Sequence, residues 1–195
     1  MVTHVSAAAP GDERGTLLSS LAAERGGIRR ALLGLTDEQA ASRPSASELS
    51  LSGLLKHAAE VEQDWIARAG QEPPAVKRDE SNWHESFVLV GDETVESQLA
   101  YWEKVVAQTE AFIRSVPSLD DTFPVPNDPW FPPDERVSMR WVLLRLISEM
   151  GTWSTSECTL KPCSEFRPSS AAIEIRCRFW NGRRLARSKM EPRST

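Results

Sequence analysis

No apolar run in the 195 residues approaches the roughly 18 to 20 that would span a bilayer, which excludes a helical membrane anchor and a membrane partner. The first residues, MVTHVSAAAPGDER, have neither a basic n-region nor an apolar h-region, so the chain reads as cytoplasmic. Cysteine is scarce and late: Cys158, Cys163 and Cys177 are an odd count, at spacings that fit neither a C-x-x-C redox pair nor a paired zinc frame. The first 151 residues also lack any cluster of Lys and Arg that could follow a phosphate backbone, so nucleic acid is not an expected partner.

Aspartate is missing altogether from residues 152–195, and this absence marks a seam. The whole chain carries a net charge of −5, but the first 151 residues hold 14 basic against 24 acidic side chains, and the last 44 hold 9 against 4. An acidic body of −10 is therefore joined near Gly151 to a basic segment of +5 that contains every cysteine. The length suits one domain with one core. The reading divides it into a flexible N-terminus over 1–11, a helical body over 12–151 and an atypical basic tail over 152–195.

What the body does have is helical period. From Gly15 to Leu35 the apolar positions Leu17, Leu21, Ile28, Leu32 and Leu35 share one helix face. The pair Gly26 and Gly27 inside that run predicts close packing or a bend. Thr36-Asp37-Glu38-Gln39 reads as a capping box opening a short turn that ends at Pro44. A second long helix is predicted from the cap Ser50 to Ala69, with Leu51, Leu54, Ala58, Val61 and Trp65 as its buried stripe. Gly70, Pro73 and Pro74 stop it. The stretch to Asp92 has no sustained period, and a connection of that length is either functional or mobile.

A third helix is predicted over Thr94 to Val116, carrying Val95, Leu99, Trp102, Val106 and Ile113. Six prolines between Pro117 and Arg136 then forbid regular helix and predict a stiff, extended crossover. Ser138 caps a fourth helix from Met139 to about Met150, shortened by the seam. Four helices with two long connections make an all-α four-helix bundle whose order is not simply up-down-up-down.

In such bundles, sites are built from polar side chains that project inward from the helices. His57 lies at the edge of the second helix's apolar stripe, where it is either a hydrogen-bonded core residue or a ligand. Glu149 follows Val142 and Leu146 at helical spacing, so a carboxylate continues the core face. Buried Glu needs a cation, a metal or a donor, and the alternatives are an Arg salt bridge or simple exposure at a fraying end.

The segments LTDEQAASRPSASELSLSGLLKHAAEVEQDW and VSMRWVLLRLISEM resemble the DinB-like superfamily, in particular the branch of mycothiol-dependent maleylpyruvate isomerase and the mini-circle proteins. The resemblance covers about residues 12–151 and implies a four-helix bundle. It also implies a divalent metal, Zn²⁺ or Ni²⁺, held by a His of the second helix and a pair spaced i, i+4 on the fourth. Characterised relatives are thiol-dependent transferases or isomerases that use mycothiol, bacillithiol or glutathione, and relatives often form homodimers.

Carried onto this chain, the resemblance makes His57 and Glu149 metal ligands and expects a histidine four residues after Glu149. The sequence has Trp153 there, and an indole does not ligate zinc. Glu157, Cys158 and His84 are the remaining candidates for a third ligand. The departure coincides with the seam, so the tail is read either as a changed reading frame from near codon 152 or as a diverged extension. For the second, Ile173, Ile175, Cys177 and Phe179 alternate like a strand, but nothing pairs with it. The expected function is a metal- and thiol-dependent transferase, isomerase or hydrolase acting on a small electrophile, with its metal site impaired. The alternative is a non-catalytic bundle used for binding or dimerisation.

Overall fold

The computed structural model describes residues 11–43, 49–125 and 131–155. Four long helices form the bundle: α1 (Glu13–Leu32), α3 (Leu51–Ala69), α4 (Val95–Ser115) and α5 (Met139–Thr155). A short α2 (Asp37–Ala41) follows α1, and a 3₁₀ turn, Trp83–Phe87, lies between α3 and α4.

Local chemistry sets the helix starts. Asp12 accepts from the Gly15 amide at 2.8 Å and begins α1 two residues ahead of the apolar pattern. Thr36 and Gln39 satisfy each other's backbone amides in the expected capping box. Ser50 caps α3, and Thr94 caps α4 with Ser97 reciprocating. Ser138 accepts from the Trp141 amide at the start of α5. The prediction for Pro44 lies outside the described residues.

The bundle is closed by the two most extensive helix pairs, α1 with α5 and α3 with α4. Both pairs run parallel. Arg140 reaches Glu13 at the start of α1, while Gly151 lies over the Glu24 carboxylate one helix-length on. Likewise Glu62 meets Trp102, and Gly70 and Phe112 share a groove further along. Parallel neighbours cannot be joined by a tight turn, so the chain between α3 and α4 must travel back along the bundle. That return defines the site described below.

The core is one cluster with Leu21, Leu54, Leu55, Trp102, Leu143, Leu146 and Met150 at its centre. Burying each such side chain contributes roughly 1.5–3 kcal/mol. Gly26 and Gly27 leave α1 unbroken, and Gly27 is buried, so the pair serves close packing rather than a bend.

One expectation gains detail and two are corrected. The proline-rich crossover contains a two-stranded antiparallel ribbon, β1 (Thr122–Pro124) with β2 (Arg136–Ser138), where Phe123 and Val137 face each other and are buried. Two apolar side chains on opposed extended segments suffice to pair them, and proline is tolerated at the end of an edge strand. The fourth long helix continues through Thr155, past the seam, because Gly151, Thr152 and Trp153 still carry helical backbone. The buried stripe of α4 is Val95, Gln98, Trp102, Val105, Thr109 and Ile113, with Leu99 and Val106 only half-buried. An apolar search prefers Leu and Val to Gln98 and Thr109, and so rotates the stripe.

A clamped histidine centre

Gly53, Lys56, His57 and Glu60 fall at i, i+3, i+4 and i+7 on α3, which puts them on one helix face. The returning segment between α3 and α4 is fastened to that face at every one of these positions. Arg78 forms a two-point ion pair with Glu60, at 2.6 and 3.1 Å, and bonds Glu85 at 2.9 Å. Ser86 Oγ and His57 Nδ1 share a hydrogen bond of 2.8 Å. The Lys56 ammonium donates to the Val88 carbonyl at 3.2 Å and to Glu93 at 2.6 Å. At Gly53 the Phe87 carbonyl packs so close that a Cβ would sit 2.0 Å from its oxygen. Only glycine admits this approach.

The clamp buries His57, which is 5% exposed, and Ser86, which is 2% exposed. Phe87 stacks on the imidazole at 4.2 Å between ring centres. Trp83 and Trp153 meet it edge-on at 6.2 and 5.5 Å. Burial, reinforced by the nearby Arg78 guanidinium, lowers the His57 pKa from 6.5 to about 4, so the ring is neutral near pH 7. Trp153 Nε1 is shielded from solvent and has no hydrogen-bond partner among the described residues.

The predicted ligands are not brought together as a donor set. His57 is in the centre, but Glu149 is half-buried at the edge of α5 and pairs with Arg145 one turn back on its own helix. Met150 takes the core-facing place that the sequence pattern assigned to Glu149. His84 points from the 3₁₀ turn into solvent. Among the described residues no group of three or more His, Cys, Asp and Glu is arranged to hold a metal. Trp153, at the place expected for a ligand, puts an aromatic edge against the imidazole instead. The described residues therefore do not fit a zinc or nickel site, which needs at least three protein donors in fixed geometry. Glu157 and Cys158 lie outside the described residues.

A second buried polar centre was missed from sequence. Arg25 of α1 donates to both carboxylate oxygens of Glu62, at 3.1 and 2.6 Å, and Trp102 Nε1 donates to Glu62 Oε2 at 3.0 Å. All three residues are essentially inaccessible to solvent. The signal was present: Arg25 sits in the stripe Leu18, Leu21, Ile28, Leu32, and Glu62 in the stripe Leu55, Ala58, Ala59. A charge on an apolar stripe in one helix, matched by an opposite charge in another, is the pattern of a buried pair.

Similarity to known proteins agrees with this architecture. A conserved protein of locus from Enterococcus faecalis, known from its crystal structure, shares the fold with a TM-score of 0.57 at 16% identity, over 74% of this chain and 92% of that one. No curated protein matches the chain. Residues 16–152 match the family of mycothiol-S-transferases, a span that runs from the first turn of α1 to the residue before Trp153 and so takes in nearly the whole described bundle. This DinB-like bundle belongs to the mycothiol-S-transferase family.

Proposed function

We propose that the chain is a cytoplasmic, mycothiol-linked small-molecule protein of this family in which the His57 centre no longer works as a metal centre. The observation that carries this reading is the position of Trp153, whose indole meets the imidazole edge-on at 5.5 Å between ring centres where the resemblance calls for a third ligand. His57 Nδ1 is at the same time committed to Ser86, and Phe87 covers one face of the ring. The centre is thus closed by side-chain packing on several sides. The bundle keeps the family's scaffold for a small electrophile or a thiol, and mycothiol is the thiol to test first.

Metal analysis of the purified full-length chain, after growth with zinc and nickel, tests the reading. The expected result is well under one metal per chain, unchanged by His57→Ala. About one zinc or nickel per chain, lost in His57→Ala, would overturn it and establish the second reading, a metal- and thiol-dependent transferase, isomerase or hydrolase with His57 and Glu149 as ligands. That second reading is favoured by the neutral state of His57, which keeps the imidazole available to a metal near pH 7. Pairing of two bundles into a homodimer belongs to the same proposal, and light scattering reports on it directly.

A further inference from the structure

We propose that residues 72–90, the segment returning from α3 to α4, swing off α3 as one body about hinges at Gln71 and Gly91, and that this opening is the way into the His57 centre. The motion does not depend on whether that centre takes a metal, so it stands apart from the reading above.

The two ends of the segment are built alike. Gln71 has φ 57° and Gly91 has φ 59°, both in the left-handed region that residues other than glycine seldom adopt. Gly91 has open space where a Cβ would stand, so packing does not fix its backbone. A hinge needs a few such positions to absorb a large change in φ and ψ. Between them the segment holds its own shape. The Asn82 side chain accepts from the Asp79 amide at 2.8 Å and donates to the Lys77 carbonyl at 3.0 Å, and the Asn82 carbonyl accepts from Arg78 at 3.2 Å. Arg78 also bonds Glu85 at 2.9 Å. These bonds travel with the segment when it leaves α3.

Its hold on the bundle is polar and thin. Among the described residues, Ser86 is the one buried residue of 72–90, and Leu89, half-buried, is the one apolar side chain of the segment that packs against the core cluster. The rest of the attachment is the Arg78 ion pair with Glu60, the Ser86 bond to His57, the stack of Phe87 on the imidazole and the Lys56 bond to the Val88 carbonyl. The Lys56 pair with Glu93 lies beyond Gly91 and survives the opening. A segment that buries so little apolar surface opens at a lower free energy than the helices beneath it. In the closed fold His57 is only 5% exposed. Ser86 and Phe87 are chain neighbours, so one movement lifts both from the ring and leaves Trp153 of α5 at its edge. Arg78 is the latch, because its two-point pair with Glu60 is the strongest of the ties that must break.

The test uses the full-length protein near pH 7 and diethyl pyrocarbonate, which acylates neutral imidazole, with peptide mapping by mass spectrometry to separate His57 from the exposed reference His84. His57 is expected to react roughly a hundredfold more slowly than His84, at a rate that stays flat as urea rises toward the unfolding transition, because opening the segment exposes little surface. Arg78→Met should speed His57 about tenfold and leave His84 unchanged. Gly91→Ala strains the closed form alone, since its side chain must enter the left-handed region there, and should speed His57 about fivefold. A His57 rate equal to that of His84, a rate that climbs with urea as steeply as global unfolding, or a rate that either variant leaves unchanged would overturn the proposal.

Discussion

Glu62 and His57 lie on the same helix, little more than one turn apart, and both are buried, yet the protein deals with them in opposite ways. Glu62 enters the core as a carboxylate and is met by a two-point guanidinium and an indole N–H. His57 enters as a neutral ring and is met by a hydroxyl and three aromatic side chains. The difference is one of solvation. A buried charge costs several kcal/mol unless its partners replace the lost water, whereas a neutral imidazole needs a hydrogen bond and good packing. The first centre ties α1, α3 and α4 together, and the second fastens the returning segment onto α3.

The largest effect should come from leaving Glu62 without its cation. Arg25→Met is expected to cost about 3–5 kcal/mol in urea unfolding, because it strands a buried carboxylate. The double change Arg25→Met with Glu62→Leu should recover a large part of that loss, since an apolar pair has no charge to solvate. Equal costs for the single and double variants would show that the pair contributes through shape alone.

Next comes the response of His57 to pH. Its folded pKa is depressed from 6.5 to about 4, so the unfolded chain takes up the proton first as pH falls. The stability contributed by the neutral ring is complete above about pH 6.5 and is lost between there and about pH 4, for a total of roughly 3 kcal/mol. Because carboxylates titrate in the same window, the quantity to measure is the difference between the wild type and His57→Asn, whose amide can still meet Ser86. That difference should shrink steadily from pH 6.5 to pH 4, and a constant difference would contradict a buried neutral imidazole.

The smallest of the three concerns the clamp. Gly53→Ala drives a methyl group into the Phe87 carbonyl and should cost about 2 kcal/mol. Limited proteolysis should then cut between Arg78 and Glu93 more readily than in the wild type. Unchanged cleavage would mean that the segment is held by its ion pairs without the close approach at Gly53.

The sequence made the helices legible because their caps and apolar spacing are local. Ser50, Thr94 and the Thr36–Gln39 box are read directly, and the two long connections already set the order apart from a simple up-down-up-down bundle. The site was legible only as single residues. His57 was found because it stands on a helix otherwise rich in apolar residues, but its partners Ser86 and Phe87 come from a stretch without period. The clamp depends on a register between two distant segments that no spacing rule encodes. Trp153 was visible as the residue standing where a histidine was expected. That it packs against the imidazole emerges only when α5 is seen to continue past Gly151. The basic tail, with its reading as a changed frame or a lone strand, lies outside the described residues.

The central claim is that Trp153, by taking the place of a ligand, keeps metal from the His57 centre. Its most direct measurement is the zinc content of Trp153→His beside that of the wild type, with the melting temperature followed as zinc is added and then chelated. The account predicts about one zinc per chain and a chelator-sensitive rise in melting temperature in the variant alone, since the introduced imidazole would stand beside His57 and zinc would draw Glu149 from Arg145 as the third donor. A variant as metal-free as the wild type, or a wild type that already holds one zinc through His57, would contradict it.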